Sequence, residues 1–380
     1  MKVYFDNAAT TPMDPAVIEA MQPILHEAFG NPSSIHAHGR KVRSIIEVSR
    51  KKIADLLKTS PAEIFFTSGG TEADNTALRC AVEGLGVRRI ITSKVEHHAV
   101  LHTAEYLQKL HGITLSFVKT DAKGNVDLSD LTNLLQSSAE KTLVSLMHAN
   151  NEIGNLIDLE VVGNICHENG ALFHSDTVQT MGHYPHDMSQ LPVDFIVGSA
   201  HKFHGPKGVG FLYINHNTKI PPFVHGGAQE RNMRGGTENV LGIVGMTKAL
   251  ELAYGELDDH QQYIRSLKKQ MIEGLLSSIP DVSFNGMSGD IDNSLYTVLN
   301  VCVAPSSANE MLLFNLDING ISISGGSACS SGSSVGSHVL AELDRDPKSG
   351  AIRFSFSRYN TAEEVSFAIE KLIEITAVHV

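Results

Sequence analysis

Cysteine is scarce in this chain. The four present in 380 residues, Cys80, Cys166, Cys302 and Cys329, are widely separated and show no C-x-x-C spacing. This excludes a disulfide framework and points to reduced thiols in a cytosolic setting. An excess of basic residues is missing too. Acidic residues number 42 against 30 basic ones, giving a formal charge of −12 and a pI near 5.9, which argues against nucleic acid or an anionic membrane as the main partner. No uninterrupted apolar run approaches the roughly 18 residues of a membrane span. The opening "MKVYFDNAATTPMDP" has no apolar core of signal-peptide length and carries Asp6 early. The expectation is a cytoplasmic chain with no membrane partner. Internal repeats and charge blocks are also absent.

What is present is ordinary in bulk, with 42% hydrophobic and 19% charged residues, and the length suggests two or three domains. From about residue 60 to 215, apolar β-rich runs alternate with helical stretches. The runs are "EIFFT" (63–67), "RIITS" (89–93), "TLSFVK" (114–119), "TLVSLM" (142–147), "ALFHS" (171–175), "DFIVG" (194–198) and "VGFLYI" (209–214). Most are continuous rather than alternating, as in strands buried on both faces of a parallel sheet. Helices are predicted over 71–84, 97–111, 128–137 and 158–169, so the chain reads as an open α/β sheet with right-handed crossovers. The last two strands are joined by the short "SAHKFHGPKG", which predicts that one of them runs antiparallel.

After about residue 240 the rhythm changes to helices at 241–256 and 259–278, then "DVSF", "LYTVLNVCV", a helix near 307–317, "GISIS", "AIRFSFSR" and a last helix near 362–376. This predicts a smaller α+β domain. It contains the one low-complexity stretch, Ser322 to Ser337, in which four Gly and eight Ser surround Cys329.

Two stretches carry the chemistry. "HSDTVQ" places Asp176 just past one strand, and "SAHKFHGPKGVG" places Lys202 just past the next. Strand ends of an open α/β sheet share a ligand crevice. A carboxylate followed one strand later by a lysine is the order needed to grip pyridoxal phosphate, the acid pairing with the ring nitrogen and the amine bonding the aldehyde. "GPKGVG" mimics a dinucleotide loop but precedes a strand rather than a helix, so that reading fails. "FTSGGTEADN" supplies a phosphate cradle, with two glycines and then Thr71 opening a helix.

These stretches, with "VEHHAV", "NNEIG", "GGTEN", "SACSSGS" and "YFDNAATTP", resemble the cysteine desulfurases of the NifS/IscS type in the class V aminotransferase group. The motifs run in order from residue 4 to about 361. The resemblance implies the pyridoxal-phosphate transferase fold type I (aspartate-aminotransferase-like). A large domain with a mostly parallel seven-stranded sheet (15–250) would join a small α+β domain (1–14 and 251–380) carrying the Cys329 loop. Lys202 would bind the cofactor covalently and shuttle the Cα proton, Asp176 would pair with the ring nitrogen, and Gln179 would bond the ring hydroxyl. His97 would stack on the ring and assist proton transfer. Gly70, Thr71, Ser199 and His201 would hold the phosphate. Thr237 would reach the phosphate of a neighbouring subunit, implying a homodimer with shared active sites. Asn151, also in contact with the cofactor, and Arg353 would take the substrate carboxylate, for which a guanidinium fork has the right geometry.

The implied reaction converts L-cysteine to L-alanine, with Cys329 as thiolate taking the sulfur as a persulfide. The sulfur would pass to an acceptor such as an iron–sulfur scaffold. No resident metal is expected, and Cys329 would meet an iron–sulfur cluster only during transfer. Gly325, Gly326, Gly332 and Gly336 would let the thiol move between the cofactor and a partner. Alternatives are a selenocysteine lyase, another class V aminotransferase or lyase, and a catalytically silent scaffold. Cys80, Cys166 and Cys302 read as packing residues, and His98 as pointing away from the site. The sequence departs from the family pattern at His183, Gly336 and Ser357, none of which has an assigned role.

Overall fold

The computed structural model describes residues 1–306, 309, 311–325 and 336–377. Cys329, with Gly326 and Gly332, lies outside the described residues. A short strand, β1 (Val3–Tyr4), opens the chain. The main sheet follows: β2 (Ile64–Thr67), β3 (Arg89–Thr92), β4 (Thr114–Phe117), β5 (Thr142–Ser145), β6 (Leu172–Asp176), β7 (Phe195–Ser199) and β8 (Gly210–Ile214). Its spatial order is β2-β8-β7-β6-β5-β3-β4. Strands β4, β3, β5, β6 and β7 run parallel. Strand β8 is antiparallel to β7, and β2 is antiparallel to β8. The reversal expected near residue 205 is therefore β8, because the connection from β7 is too short for a parallel crossover.

The continuous apolar runs are explained by cover on both faces. Ile90 and Leu143 join one buried cluster, while their sequence neighbours Ile91 and Val144 join another. Alternate side chains of one strand point to opposite faces, so both must be apolar here. The covering helices include Gly70–Leu85, His98–His111, Leu128–Gln136 and Leu159–Glu168. Asp127 and Asp158 each accept two amide N–H groups at the starts of the last two, which caps otherwise orphaned donors. Two helices that the sequence reading left unassigned, Pro15–Glu27 and Ala37–Leu56, pack on the helix Val240–Gly255.

A second apolar cluster surrounds β9 (Ser283–Phe284), β10 (Val298–Val303), β11 (Ile321–Ser322) and β12 (Gly350–Ser355). Three of these form an antiparallel sheet in the order β12-β10-β9, and β11 pairs in parallel with β1. The helices Leu257–Ser278 and Ala362–Ala377 flank it. Val3 and Phe5 sit in the same cluster as Leu267, Leu299, Phe354 and Leu372. The N-terminal segment then crosses to the ends of the parallel strands, between the two apolar cores.

Candidate active site

A cavity of about 240 Å³ opens where the parallel strands of the main sheet end. Asp176 closes β6, Ser199 closes β7, His97 lies beyond β3 and Asn151 beyond β5. Each residue lies at or just past the C-terminal end of a parallel strand, which is why they converge from distant sequence.

One end of the cavity is a helix start. Gly69 has φ +154 and precedes the helix at Gly70. A Cβ on Gly70 would stand 2.7 Å from Val178 Cγ2 and 3.6 Å from Ser199 Cβ. Position 70 therefore has no room for a side chain, and the backbone amides that open the helix stay uncovered beside Thr71 and Ser199. His201 adds an imidazole at this end, its Nδ1 3.1 Å from Thr10 Oγ1. Burial, and then Lys202 and Lys207, hold its pKa down at about 4.

The middle of the cavity holds an acid, an imidazole and an amine. Asp176 Oδ1 accepts the Val178 amide at 2.9 Å. Burial raises its pKa, while His97 and Lys202 pull it back. His97 caps the helix His98–His111 by accepting the Ala99 amide at Nδ1 (3.2 Å), which leaves Nε2 to carry its proton. Burial lowers its pKa, so the neutral ring is favoured. Lys202 Nζ donates to the carbonyls of Ala8 (2.5 Å) and Ala9 (2.9 Å). Gln179 Nε2 donates to the same Ala8 oxygen at 3.0 Å.

Not every expected residue lines this cavity. Arg353, 1% exposed, donates from Nη1 to the Asn151 carbonyl and from Nη2 to Asp6 Oδ1, both at 2.9 Å. Its Nε has no hydrogen-bond partner among the described residues. Thr237 lines a separate cavity of about 150 Å³ with Phe66, Arg234 and Glu238. Cys329 lies outside the described residues, but its flanks are anchored nearby. Ser324 exchanges backbone hydrogen bonds with Arg353, and Ser337 donates to Glu152 Oε2 at 2.5 Å. His98 turns away from the cavity and bonds His338, Nε2 to Nδ1, at 3.0 Å. Cys80 and Cys166 are buried, with their thiols pushed up to about 12, and Cys302 is half-buried.

Sequence reasoning missed three contributors. The carbonyls of Ala8 and Ala9 hold the lysine, and only the quoted "NAATT" hinted at them. Asp74, one turn into the cradle helix, lines the cavity with its carboxyl pushed well above the usual range by burial, then by Asp176 and Glu96. Its Oδ1 lies 3.3 Å from His174 Nε2, yet the approach is off-line and neither atom completes a hydrogen bond. The third is His183, set aside as a departure without a role, whose Nε2 lies 3.3 Å from the Lys202 carbonyl oxygen.

The donor set fits pyridoxal phosphate. A glycine-floored helix start suits the phosphate, a buried carboxylate suits a protonated ring nitrogen, and a primary amine lies in the same cavity. Among the described residues, no three His, Cys, Asp or Glu side chains gather as a metal site, and no helix is long and apolar enough to cross a membrane.

Comparison with known proteins agrees with this geometry. The profile of the family Aminotransferase class-V matches residues 3–367. The cysteine desulfurase IscS of Dictyoglomus turgidum is 45% identical over 378 residues, covering 98% of this chain and 94% of that one. The putative cysteine desulfurase IscS 1 of Bacillus subtilis is 41% identical over 98% of both chains. Among solved structures, a NifS-like protein superposes over 100% of both chains with a TM-score of 0.90 at 38% identity. The structure of SspA in complex with cysteine matches 95% of this chain and 100% of that one, with a TM-score of 0.80 at 31% identity. The chain belongs to the class V aminotransferase family of pyridoxal-phosphate enzymes, among its cysteine desulfurases.

Proposed function

We propose that this chain converts L-cysteine to L-alanine and takes the sulfur onto Cys329 as a persulfide, for delivery to an acceptor protein such as an iron–sulfur scaffold. The observation that carries this reading is the convergence of Asp176, His97 and Lys202 on one cavity whose floor is a helix start.

When bound, pyridoxal phosphate supplies an electron-poor ring that accepts the electron pair left at the substrate's Cα. Gly70, Thr71, Ser199 and His201 would hold its phosphate, Asp176 would keep the ring nitrogen protonated, Gln179 would bond the ring hydroxyl and His97 would cover the ring. Lys202 anchors the group and carries the Cα proton on Nζ. Asn151 and Arg353 orient the substrate carboxylate, with Asp6 and the Asn151 carbonyl fixing the guanidinium. The Cys329 thiolate attacks the substrate's sulfur, so an S–S bond forms as the C–S bond breaks. The electron pair of the C–S bond leaves with carbon, which is protonated to give alanine. Atoms balance without an external oxidant or reductant.

The working form in this reading is a cytoplasmic homodimer in which Thr237 of each subunit serves the other's phosphate. In support, Thr237 lies in a cavity apart from its own lysine. Leu25, Phe29 and Ile35 stand 64%, 75% and 90% exposed, large apolar side chains that a second copy would cover. The large unit spans 15–250, and the small unit comprises 1–14 and 251–380.

Two variants test the assignment. Cys329→Ala keeps the yellow cofactor colour and loses sulfide release from cysteine, and full turnover in this variant would overturn the persulfide route. Lys202→Ala loses the visible absorption of the lysine-bound cofactor, and an unchanged spectrum would overturn the lysine assignment.

A further inference from the structure

The turn that presents Lys202 is held from two sides. Residues Ala200–Lys202 form a single tight helical turn, and His204 just beyond it adopts φ 65, an uncommon conformation for a non-glycine residue. On one side, the Thr11 amide and hydroxyl both donate to the His201 carbonyl at 2.9 Å, and the His204 amide donates to Thr11 Oγ1 at 2.8 Å. On the other side stands His183.

The bonds of His183 determine its tautomer. Nε2 lies 3.3 Å from the Lys202 oxygen, and a carbonyl can only accept, so Nε2 carries the proton. Nδ1 then has a free lone pair facing the Tyr296 hydroxyl 2.9 Å away, a donor that also reaches the His183 backbone carbonyl at 3.2 Å. Gln261 Nε2 donates to the His183 backbone carbonyl at 2.6 Å. The ring therefore links the Lys202 turn to the segment entering β10, and the backbone of the same residue is tied to the helix Leu257–Ser278. Desolvation holds its pKa down at about 4. The titratable and charged groups facing it, Arg358 and His260, push the same way, and the Lys202 carbonyl opposes them. The neutral ring donates at one nitrogen and accepts at the other, which an ammonium or an aliphatic side chain cannot do.

We propose that His183 is a positioning residue for the cofactor lysine, fixing the Lys202 carbonyl and thereby the direction in which Nζ points, and referring that direction to Tyr296 in the second core. This rests on the reading of Lys202 as the point of cofactor attachment. An amine displaced by a fraction of an ångström bonds the cofactor more slowly and carries the Cα proton less well, without altering the cavity that admits the substrate.

The experiment reconstitutes apoprotein with pyridoxal phosphate and follows the visible band of the lysine-bound cofactor, its pH midpoint, and kcat and KM for cysteine. His183→Leu should lengthen the half-time of band formation about tenfold and lower kcat about tenfold, with KM within about twofold. It should also move the band's midpoint by about half a pH unit or more. His183→Gln, which keeps one donor and one acceptor, should stay within about threefold of the wild type on each rate. Tyr296→Phe should shift all readouts in the direction of His183→Leu but by less, and it decides the matter if His183→Leu does not fold. Wild-type reconstitution and midpoint in His183→Leu or Tyr296→Phe, or equal impairment in His183→Gln and His183→Leu, would overturn the proposal. A visible band retained by Lys202→Ala would instead overturn the reading of the lysine.

Discussion

Arg50 and Glu230 meet as a two-pronged ion pair, Nη1 to Oε2 at 2.7 Å and Nη2 to Oε1 at 2.8 Å, with both side chains 2% exposed. The same Oε2 accepts the Phe66 amide at 2.8 Å, on the outer edge of β2. One carboxylate thus fastens the segment around residue 230 to the strand that leads into the phosphate cradle. Glu230, Arg231 and Asn232 hold φ values of 43, 57 and 67, a run that non-glycine residues adopt only when their surroundings impose it. Arg234, a little further on, grips Glu72 from Nε and Nη2 at 2.9 and 3.1 Å.

Removing one partner of such a pair leaves the other charge buried and uncompensated. Glu230→Gln should therefore destabilise the apoprotein by about 3–5 kcal/mol. Urea titration at constant pH measures this. The cofactor affinity should fall with it, because the strained segment and the cradle are joined through Phe66. A loss below about 1 kcal/mol, the scale of an exposed pair, would show that the fork is not a structural bolt.

Acid should unfold this protein early. Burial holds His148, His183 and His204 near about 4 and His174 and His186 near about 3, against an ordinary value of 6.5. Each ring stays neutral in the fold but binds a proton once unfolded. The stability from these groups is complete above pH 6.5 and is lost as the pH falls toward the folded values. Every ring contributes a slope of up to about 1.4 kcal/mol per pH unit in that window. Melting temperatures measured from pH 7 down to pH 5 should fall steeply, and less steeply for His174→Gln. A flat profile across that range would contradict the buried, neutral state of these rings.

Much of this architecture was legible in the sequence, for physical reasons that vary by element. Strands β3, β5 and β7 announced themselves because a parallel sheet covered on both faces forces an unbroken apolar run. Asp176, Lys202 and the "GGTE" stretch were legible as lining of one cavity because side-chain type and glycine placement mark them in the sequence. Ala8 and Ala9 were not, since they act through carbonyl groups that every residue has. Strand β1 was hidden as well, being two residues long and paired with β11 some 300 positions away. His183 looked incidental because its partner is a backbone oxygen on a turn, and no periodicity encodes such a contact.

The Asp176 carboxylate should matter electrostatically rather than as packing. Of three buried acids, Asp74 is raised by burial and then by Asp176 and Glu96, and Glu96 is pushed up to about 8, chiefly by burial and further by Asp176. Of the three, Asp176 has His97 and Lys202 opposing its rise, so it is the one favoured to bear charge. Asp176→Asn keeps shape and volume but removes that charge. It should lower kcat by about a hundredfold or more, the usual scale for one lost contact at a developing charge, with the melting temperature of the apoprotein unchanged or raised. Stopped-flow turnover and calorimetry separate the two. A severe loss of stability with kcat intact would assign Asp176 to the core instead.

Gly70 offers the most local test of the phosphate cradle. A methyl group there would sit 2.7 Å from Val178 Cγ2, closer than carbon atoms tolerate, and Val178 is β-branched, with little rotamer freedom to yield. Gly70→Ala should therefore displace the start of the helix Gly70–Leu85 from Val178 and Ser199 and weaken cofactor binding by about tenfold or more, equivalent to about 1.4 kcal/mol. The clash is with one side chain rather than with backbone. Gly70→Ala combined with Val178→Ala should recover most of the loss, although Val178→Ala alone should leave affinity near the wild-type value. Equilibrium titration of apoprotein with pyridoxal phosphate reads all three variants. If the double variant binds no better than Gly70→Ala, the glycine is needed for the conformation or exposure of the backbone amides, and the steric account of the cradle fails.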